Sequence, residues 1–375
     1  MNNSVIIDAI RSPIGLKNGK LIGLRADNLA AQVVSGLIKR NENLEPNLIE
    51  DMIFGCAFPE GPQGMLISRG IGILAGLPNL VPGSVVNRFC GSSMDAVHQI
   101  SNKINSGDIE VGIAGGIEDM FSVPMGGFSP DFSTELAAKD YYISMGETAE
   151  NLASKAKISR TEQEEFSIKS HEKAIEAISK KRFKNEIIPI ENNLITVFND
   201  EGPRKPNLKK IKSLNPAFKK DGSITAATSS PISIGASALL LTSERFAKKH
   251  NLKVRGSVIG RAVAGVDWRE MGIGPLPATE KALHKANLKM KDIDLIELNE
   301  AFAAQALYVI KKGKWNQSKI NINGGSIALG HPLGCSGARI ITTLINTLEQ
   351  KNQRTGLATM CIGTGQGIST IIKRA

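Results

Sequence analysis

The feature that most limits what this chain can fold into is one plan of elements that occurs twice. Around Cys90 the order is an apolar strand at 83–86, a loop, a helical stretch, then an apolar run at 109–114 that meets Gly115 and Gly116. Near the C-terminus it is an apolar strand at 320–322, a glycine-rich loop, a helical stretch, then 356–361 running into Gly363-Thr364-Gly365-Gln366-Gly367. Short apolar runs closed by glycine read as strands, and the stretches at 96–104, 278–286 and 338–348 read as helices. Strands alternating with helices make an α/β fold, and repetition of the plan makes two similar halves whose loops face one another. A site between such halves can draw groups from both.

At 375 residues, with 41% hydrophobic side chains, the chain can bury sizeable cores in about two to three domains. No apolar run approaches the roughly eighteen residues that cross a bilayer. Met1-Asn2-Asn3-Ser4 leads straight into the apolar run 5–10 with neither a signal nor a transit peptide, so a soluble, cytoplasmic protein without a membrane span is expected. The cysteines Cys56, Cys90, Cys335 and Cys361 have no C-x-x-C spacing and no companion histidines, so no metal site is expected. Each thiol is then a small buried hydrophobe or a nucleophile.

Of the net charge of +10, a local +7 falls at 180–220, where eleven Lys or Arg stand against four Asp or Glu. Such a segment can attract nucleic acid, a membrane surface or a phosphorylated small molecule, or be a solvated lysine-rich exterior. It lacks interleaved aromatics and any recognition motif, so nucleic acid is not an expected partner. The stretch 119–232 breaks the alternation, with a polar helical region opened by the Ser159-x-x-Glu162 capping pattern, and reads as a lid-like domain inserted in the first half. The halves are then 1–118 with 233–252, and 253–375.

Four loops carry candidate chemistry. Cys90, in Asn87-Arg88-Phe89-Cys90-Gly91-Ser92-Ser93, lies between an apolar strand and an amphipathic helix. A helix N-terminus there would favour the thiolate and lower the pKa from about 8.5; the alternative is a buried structural cysteine. His331, in Gly330-His331-Pro332-Leu333-Gly334-Cys335-Ser336-Gly337, is a base or an ordinary loop histidine. Met360-Cys361-Ile362-Gly363-Thr364-Gly365 is a strand running into glycines whose N–H groups can hold an oxyanion, or a tight turn beside a buried thiol. Glu297-Leu298-Asn299-Glu300-Ala301-Phe302 passes from strand to helix with an amide and a carboxylate at the junction, alone no more than a capped helix. His98, His171, His250 and His284 read as structural or surface groups. No glycine-rich element follows the P-loop or dinucleotide pattern, which leaves phosphate and hydride chemistry without support. Two thiols, an imidazole, an amide and a donor loop are together the set that acyl transfer through an enolate requires.

These four motifs, with Gly115-Gly116-Ile117-Glu118-Asp119-Met120 and Met145-Gly146-Glu147-Thr148-Ala149-Glu150, resemble the thiolase family along essentially the whole chain. The resemblance implies a thiolase fold of two similar five-layered α/β halves, each with a five-stranded sheet, and an inserted loop domain that holds coenzyme A. It implies an acyltransferase in which Cys90 is the acylated nucleophile and His331 the base that activates it. By the same resemblance His331 and Asn299, through a water, polarise the thioester oxygen, and Cys361 is the acid and base at the acetyl carbon. The backbone N–H groups of Cys90 and Gly363 correspond to a second oxyanion hole. Arg204, Phe218, Ser230 and Met145 resemble coenzyme A contacts; coenzyme A is a substrate, and no permanently bound cofactor is implied.

The segments 88–94 and 357–363 look like the degradative members that cleave 3-ketoacyl-CoA in fatty-acid β-oxidation, above all the β subunit of the bacterial fatty acid oxidation complex. That likeness implies a homodimer or tetramer docked on a hydratase/dehydrogenase α subunit. The chain departs from the family at Ala227 and Ile234, where many relatives have Gly and Asp, and this bears on the backbone beside the coenzyme A loop. Other readings are a biosynthetic acetoacetyl-CoA thiolase, a ketoacyl synthase, which lacks the second catalytic thiol, and a non-catalytic CoA- or lipid-binding relative. Presence of Cys90, Asn299, His331 and Cys361 stands against the last.

Overall fold

The structure, a computed structural model, describes residues 3–375. In the first half β1 (Ser4–Arg11), β2 (Asp51–Gly55), β3 (Gly83–Val86), β4 (Val111–Asp119) and β5 (Ser233–Ser243) are ordered β3-β2-β4-β5-β1. In the second, β6 (Gly256–Gly265), β7 (Leu295–Leu298), β8 (Thr355–Ile362) and β9 (Gln366–Arg374) are ordered β7-β8-β9-β6. The plan repeats strand by strand: β2 and β7 run parallel to β4 and β8, and β5 and β9 run antiparallel to them. Two Cα pairs, Val5 with Ser257 and Ile6 with Gly256, join β1 to β6, so the half-sheets form one path.

The helices that matter for the site are α1 (Ala26–Lys39), α2 (Ile67–Leu74), α3 (Ser92–Ser106), α4 (Met145–Lys155), α5 (Arg160–Ser179), α6 (Pro275–Ala286), α7 (Ala303–Gly313) and α8 (Leu333–Gln350). Three apolar clusters show how they stack. Leu29, Val33 and Ile71 of α1 and α2 meet Phe54, Ile113 and Leu240 on one sheet. Leu283 and Leu307 of α6 and α7 meet Ile296, Leu357 and Ile371 on the other. Between the sheets, Met94 and Val97 of α3 and Ile341 and Leu344 of α8 pack with Leu239 and Met360. The two halves thus make five α/β/α/β/α layers together. Consistent with its central place, α8 is buried from Gly334 to Leu348 on every face.

Two strand ends differ from the sequence reading. Gly115 and Gly116 lie inside β4: a Cβ on Gly116 would stand 2.1 Å from the Gly334 oxygen and 2.5 Å from Ser93 Cβ. The missing side chain serves the close approach of α3 and α8, not a turn. The run 320–322 shrinks to one bridge, Ile320 with Ile296, because Asn321 takes φ +45° and its side chain bonds the Leu298 N–H and C=O.

Between Asp119 and Ser233 the chain forms α4, α5 and a short hairpin (Ile190–Asn192 with Ile195–Val197), and α5 opens on the complete Ser159/Glu162 capping box. The buried Arg11 of β1 holds this segment, donating to Glu186 at 2.8 Å and to Asp200 at 2.7 and 2.9 Å. Two of the four acids of the basic stretch are therefore spent in the interior, while its lysines stay exposed. Ile234 is fully buried in β5 beside Gly15 and Leu21, so the family departure there is taken up by the core. Gly116→Ala is expected to destabilise the fold by about 1–3 kcal/mol through overpacking, read as a lower urea midpoint. An unchanged midpoint would show that the α3–α8 approach does not depend on the missing Cβ.

Candidate active site

Cys90 sits in a single turn of 3-10 helix, Phe89–Gly91, between β3 and α3, with Phe89 at φ +42°. The backbone N–H groups of Gly363 and of Cys90 itself favour its thiolate, but burial outweighs both and pushes the thiol up to about 11. The depressed pKa expected from a helix N-terminus is therefore not realised, because desolvation of the thiolate is the larger effect. Cys90 is then a neutral thiol at pH 7, and a nucleophilic role for it would require a base. Cys361, near the end of β8, is fully buried, and burial with the neighbouring Cys90 raises its thiol as well.

His331 is buried in the turn before α8, its backbone N–H on Ser233 Oγ at 2.9 Å. Nδ1 lies 2.5 Å from Ser336 Oγ, and that hydroxyl donates to the Pro332 carbonyl at 2.8 Å. Ser336 must then accept from Nδ1–H, which leaves Nε2 as the lone-pair nitrogen, 3.3 Å from Asn299 Nδ2. Burial, aided by the charge of Arg339, holds the imidazole pKa down to about 3, so His331 is a neutral acceptor across the physiological range. Sequence reasoning missed Ser336, although a hydroxyl one turn into the helix that follows the histidine was the available signal.

Several contacts press these loops together. Ala338 N–H donates to Ser93 Oγ at 2.9 Å, and a Cβ on Gly337 would stand 2.4 Å from the Met94 nitrogen. Glu118, fully buried in β4, accepts from the N–H groups of Ala57 at 2.7 Å, Phe58 at 3.2 Å and Gly334 at 2.8 Å; burial pushes its carboxyl up. Asn87 Nδ2 donates to the Ala57 carbonyl at 2.9 Å, so the same carboxylate steadies the Cys90 and His331 loops. Glu118, too, was not singled out from sequence. Asn299 N–H donates to the Thr359 carbonyl, which brings the end of β7 beside the strand that carries Cys361.

The remaining candidates fall into two groups. Met145 packs in one apolar cluster with Ala301, Phe302 and Cys361, and its Sδ would lie 3.2 Å from a Cβ on Gly363. Phe218 lies over Gly146 and meets Phe302 edge-on at 5.6 Å, and Ser230 N–H donates to the Ala301 carbonyl at 3.0 Å. Arg204 is different: its N–H donates to His171 Nδ1 at 3.4 Å, and its exposed guanidinium bonds the Gly202 carbonyl at 3.3 Å. Among the described residues it makes no hydrogen bond to the group around Cys90.

A thiol with a raised pKa is trapped faster as pH rises. Alkylation of Cys90 by iodoacetamide, followed by peptide mapping, is expected to climb by about tenfold per pH unit from 7 to 9. A plateau below pH 8 would contradict the raised pKa.

The model of the thiolase N-terminal domain matches residues 4–245, and that of the thiolase C-terminal domain matches 252–374. A 3-ketoacyl-CoA thiolase of Shewanella loihica is 47% identical over 389 residues, covering 100% of both chains. One of Acinetobacter baumannii is 49% identical over 383 residues, covering 99% of this chain and 97% of its own. The crystal structure of the Bacillus anthracis acetyl-CoA acetyltransferase superposes with a TM-score of 0.92 at 37% identity, covering 100% of this chain and 99% of that one. With matches from end to end, and with all four motif loops meeting between the halves, the chain belongs to the thiolase family.

Proposed function

We propose that the chain is a 3-ketoacyl-CoA thiolase, an acetyl-CoA C-acyltransferase that cleaves 3-ketoacyl-CoA with coenzyme A in fatty-acid β-oxidation. The observation that carries this reading is a neutral imidazole whose lone-pair nitrogen, Nε2, faces Asn299 Nδ2 at 3.3 Å, together with two neutral thiols, Cys90 and its neighbour Cys361. As Cys90 attacks the 3-keto carbon, its proton passes to His331 Nε2 and the carbonyl becomes an alkoxide. The alkoxide collapses, the bond between C2 and C3 breaks, and the acetyl-CoA enolate takes a proton at carbon from Cys361. Coenzyme A then replaces acetyl-CoA, gives its thiol proton to Cys361 and attacks the acyl-Cys90 thioester. Cys90 leaves and recovers its proton from His331, so atoms and charges balance over the cycle. Asn299 Nδ2 beside Nε2 suits a donor to the thioester oxygen, and the Cys90 and Gly363 N–H groups, which here meet the Cys90 sulfur, suit a second oxyanion hole.

Segment 119–232 is the proposed coenzyme A-binding domain, inserted in the first half (1–118 with 233–252), and 253–375 is the second half. Met145, Phe218 and Ser230 border the Cys361 side of the site, and Arg204 with the exposed lysines of 205–220 gives a positive approach for a polyphosphorylated ligand. No permanently bound cofactor is proposed. A homodimer is supported by the outer edge of β3, which has no strand beyond it among the described residues. The hydratase/dehydrogenase α subunit rests on resemblance, and a cytoplasmic location is proposed alongside it; among the described residues no helix is long and apolar enough to cross a membrane.

The degradative reading is favoured by the names of the relatives at 47–49% identity, and the acetyl-CoA acetyltransferase structure at 37% keeps the biosynthetic reaction as the second. Turnover of 3-ketoacyl-CoAs from C4 to C16, with mass mapping of enzyme quenched without free coenzyme A, separates them. An acyl adduct on Cys90 and faster turnover of medium or long substrates are expected. An adduct on Cys361 would refute the mechanism, and a marked preference for acetoacetyl-CoA would favour the biosynthetic reaction.

A further inference from the structure

The direction in which the Asn299 amide faces is fixed by what stands behind it. Asn299 Oδ1 lies 2.5 Å from Ser326 Oγ, and that hydroxyl lies 2.8 Å from Arg339 Nη2. A guanidinium only donates, so Ser326 Oγ accepts from Arg339 and gives its own proton to Asn299 Oδ1. The amide nitrogen is thereby turned toward His331 Nε2, while His331 Nδ1–H goes to Ser336 and the Ser336 hydroxyl to the Pro332 carbonyl. From a buried cation to a backbone carbonyl, each donor meets one acceptor, and the chain runs in one sense only.

We propose that Ser326 and Arg339 are positioning residues of the acyl-transfer site, which lock the Asn299 amide nitrogen toward the reacting centre and keep Nε2 of His331 as its lone-pair nitrogen. Arg339 is costly in its place. It is fully buried in α8, its nearest carboxylate, Glu297, is 3.7 Å away, and its Nε and Nη1 find no hydrogen-bond partner among the described residues. Exchanging so weakly compensated a buried charge for an apolar group of similar shape is often neutral or stabilising, so stability alone does not account for it. The charged groups that bear on the His331 loop are Arg339 of α8, whose charge acts on the imidazole, and Glu118 of β4, which accepts from the Gly334 N–H. Of these, Arg339 acts with burial to keep the imidazole neutral.

The inference rests on the reading of His331 as base, and the test separates the two. Steady-state thiolysis is measured against pH for Ser326→Ala, Ser326→Thr, Arg339→Gln and His331→Ala. In Ser326→Ala the amide can turn its oxygen toward Nε2, which favours the imidazolium. Since a raised imidazole pKa removes the neutral base at higher pH, the acidic limb of the kcat profile moves up. At pH 7 kcat is expected to fall by about tenfold or more, with KM for coenzyme A unchanged. Ser326→Thr, which keeps the hydroxyl, restores both, and Arg339→Gln moves the limb the same way by removing a cation. Wild-type kcat and limb in Ser326→Ala, with His331→Ala inactive, would overturn the inference alone, as would equal losses in the Ala and Thr variants. Full activity in His331→Ala would overturn the underlying reading and this inference with it.

Discussion

The site exists because α3 and α8, one from each half, press their N-terminal ends together in the middle layer of the fold. Gly116 and Gly337 leave room for that approach, and the bond from Ala338 N–H to Ser93 Oγ fixes its register. The cost is dehydration. Burial pushes the thiol of the half-buried Cys90 up to about 11 and the imidazole of the buried His331 down to about 3. Both shifts have one cause, and both keep the resting pair uncharged. In the proposed mechanism charge develops only as the thiol attacks, beside the Gly363 and Cys90 N–H groups that favour it.

The parts of this arrangement governed by local pattern were legible in the sequence. A strand forms at 83–86 as the apolar run indicates, α5 starts where Ser159 and Glu162 say it should, and the Cys90 and Asn299 loops fall at strand-to-helix junctions. The failures share a physical reason. Gly115-Gly116 looked like a strand end because glycine does mark turns, yet here it is required by Gly334, which arrives from more than two hundred residues away. The Cys90 pKa was misjudged because a helix end is visible in sequence and the depth of burial is not.

Long-range polar partners were the least legible. Periodicity reports which face of an element is buried, not which group waits on the other side. Nothing local to Glu118 shows that it will gather the N–H groups of Ala57, Phe58 and Gly334, and nothing local to Arg339 shows that it will reach Asn299 through Ser326. The basic segment teaches the same lesson in reverse: its charge excess was plain, but the removal of Glu186 and Asp200 into the interior by Arg11 makes its exposed face more positive than counting suggests.

The central claim, that one cysteine in this dehydrated junction carries the acyl group between two separate substrates, is tested most directly by isotope exchange. Enzyme is mixed with a long-chain acyl-CoA and isotopically labelled coenzyme A, with no acetyl-CoA present. An acyl-Cys90 intermediate predicts label in the acyl-CoA pool, with exchange lost in Cys90→Ser. No exchange until acetyl-CoA is added, or undiminished exchange in Cys90→Ser, would contradict it.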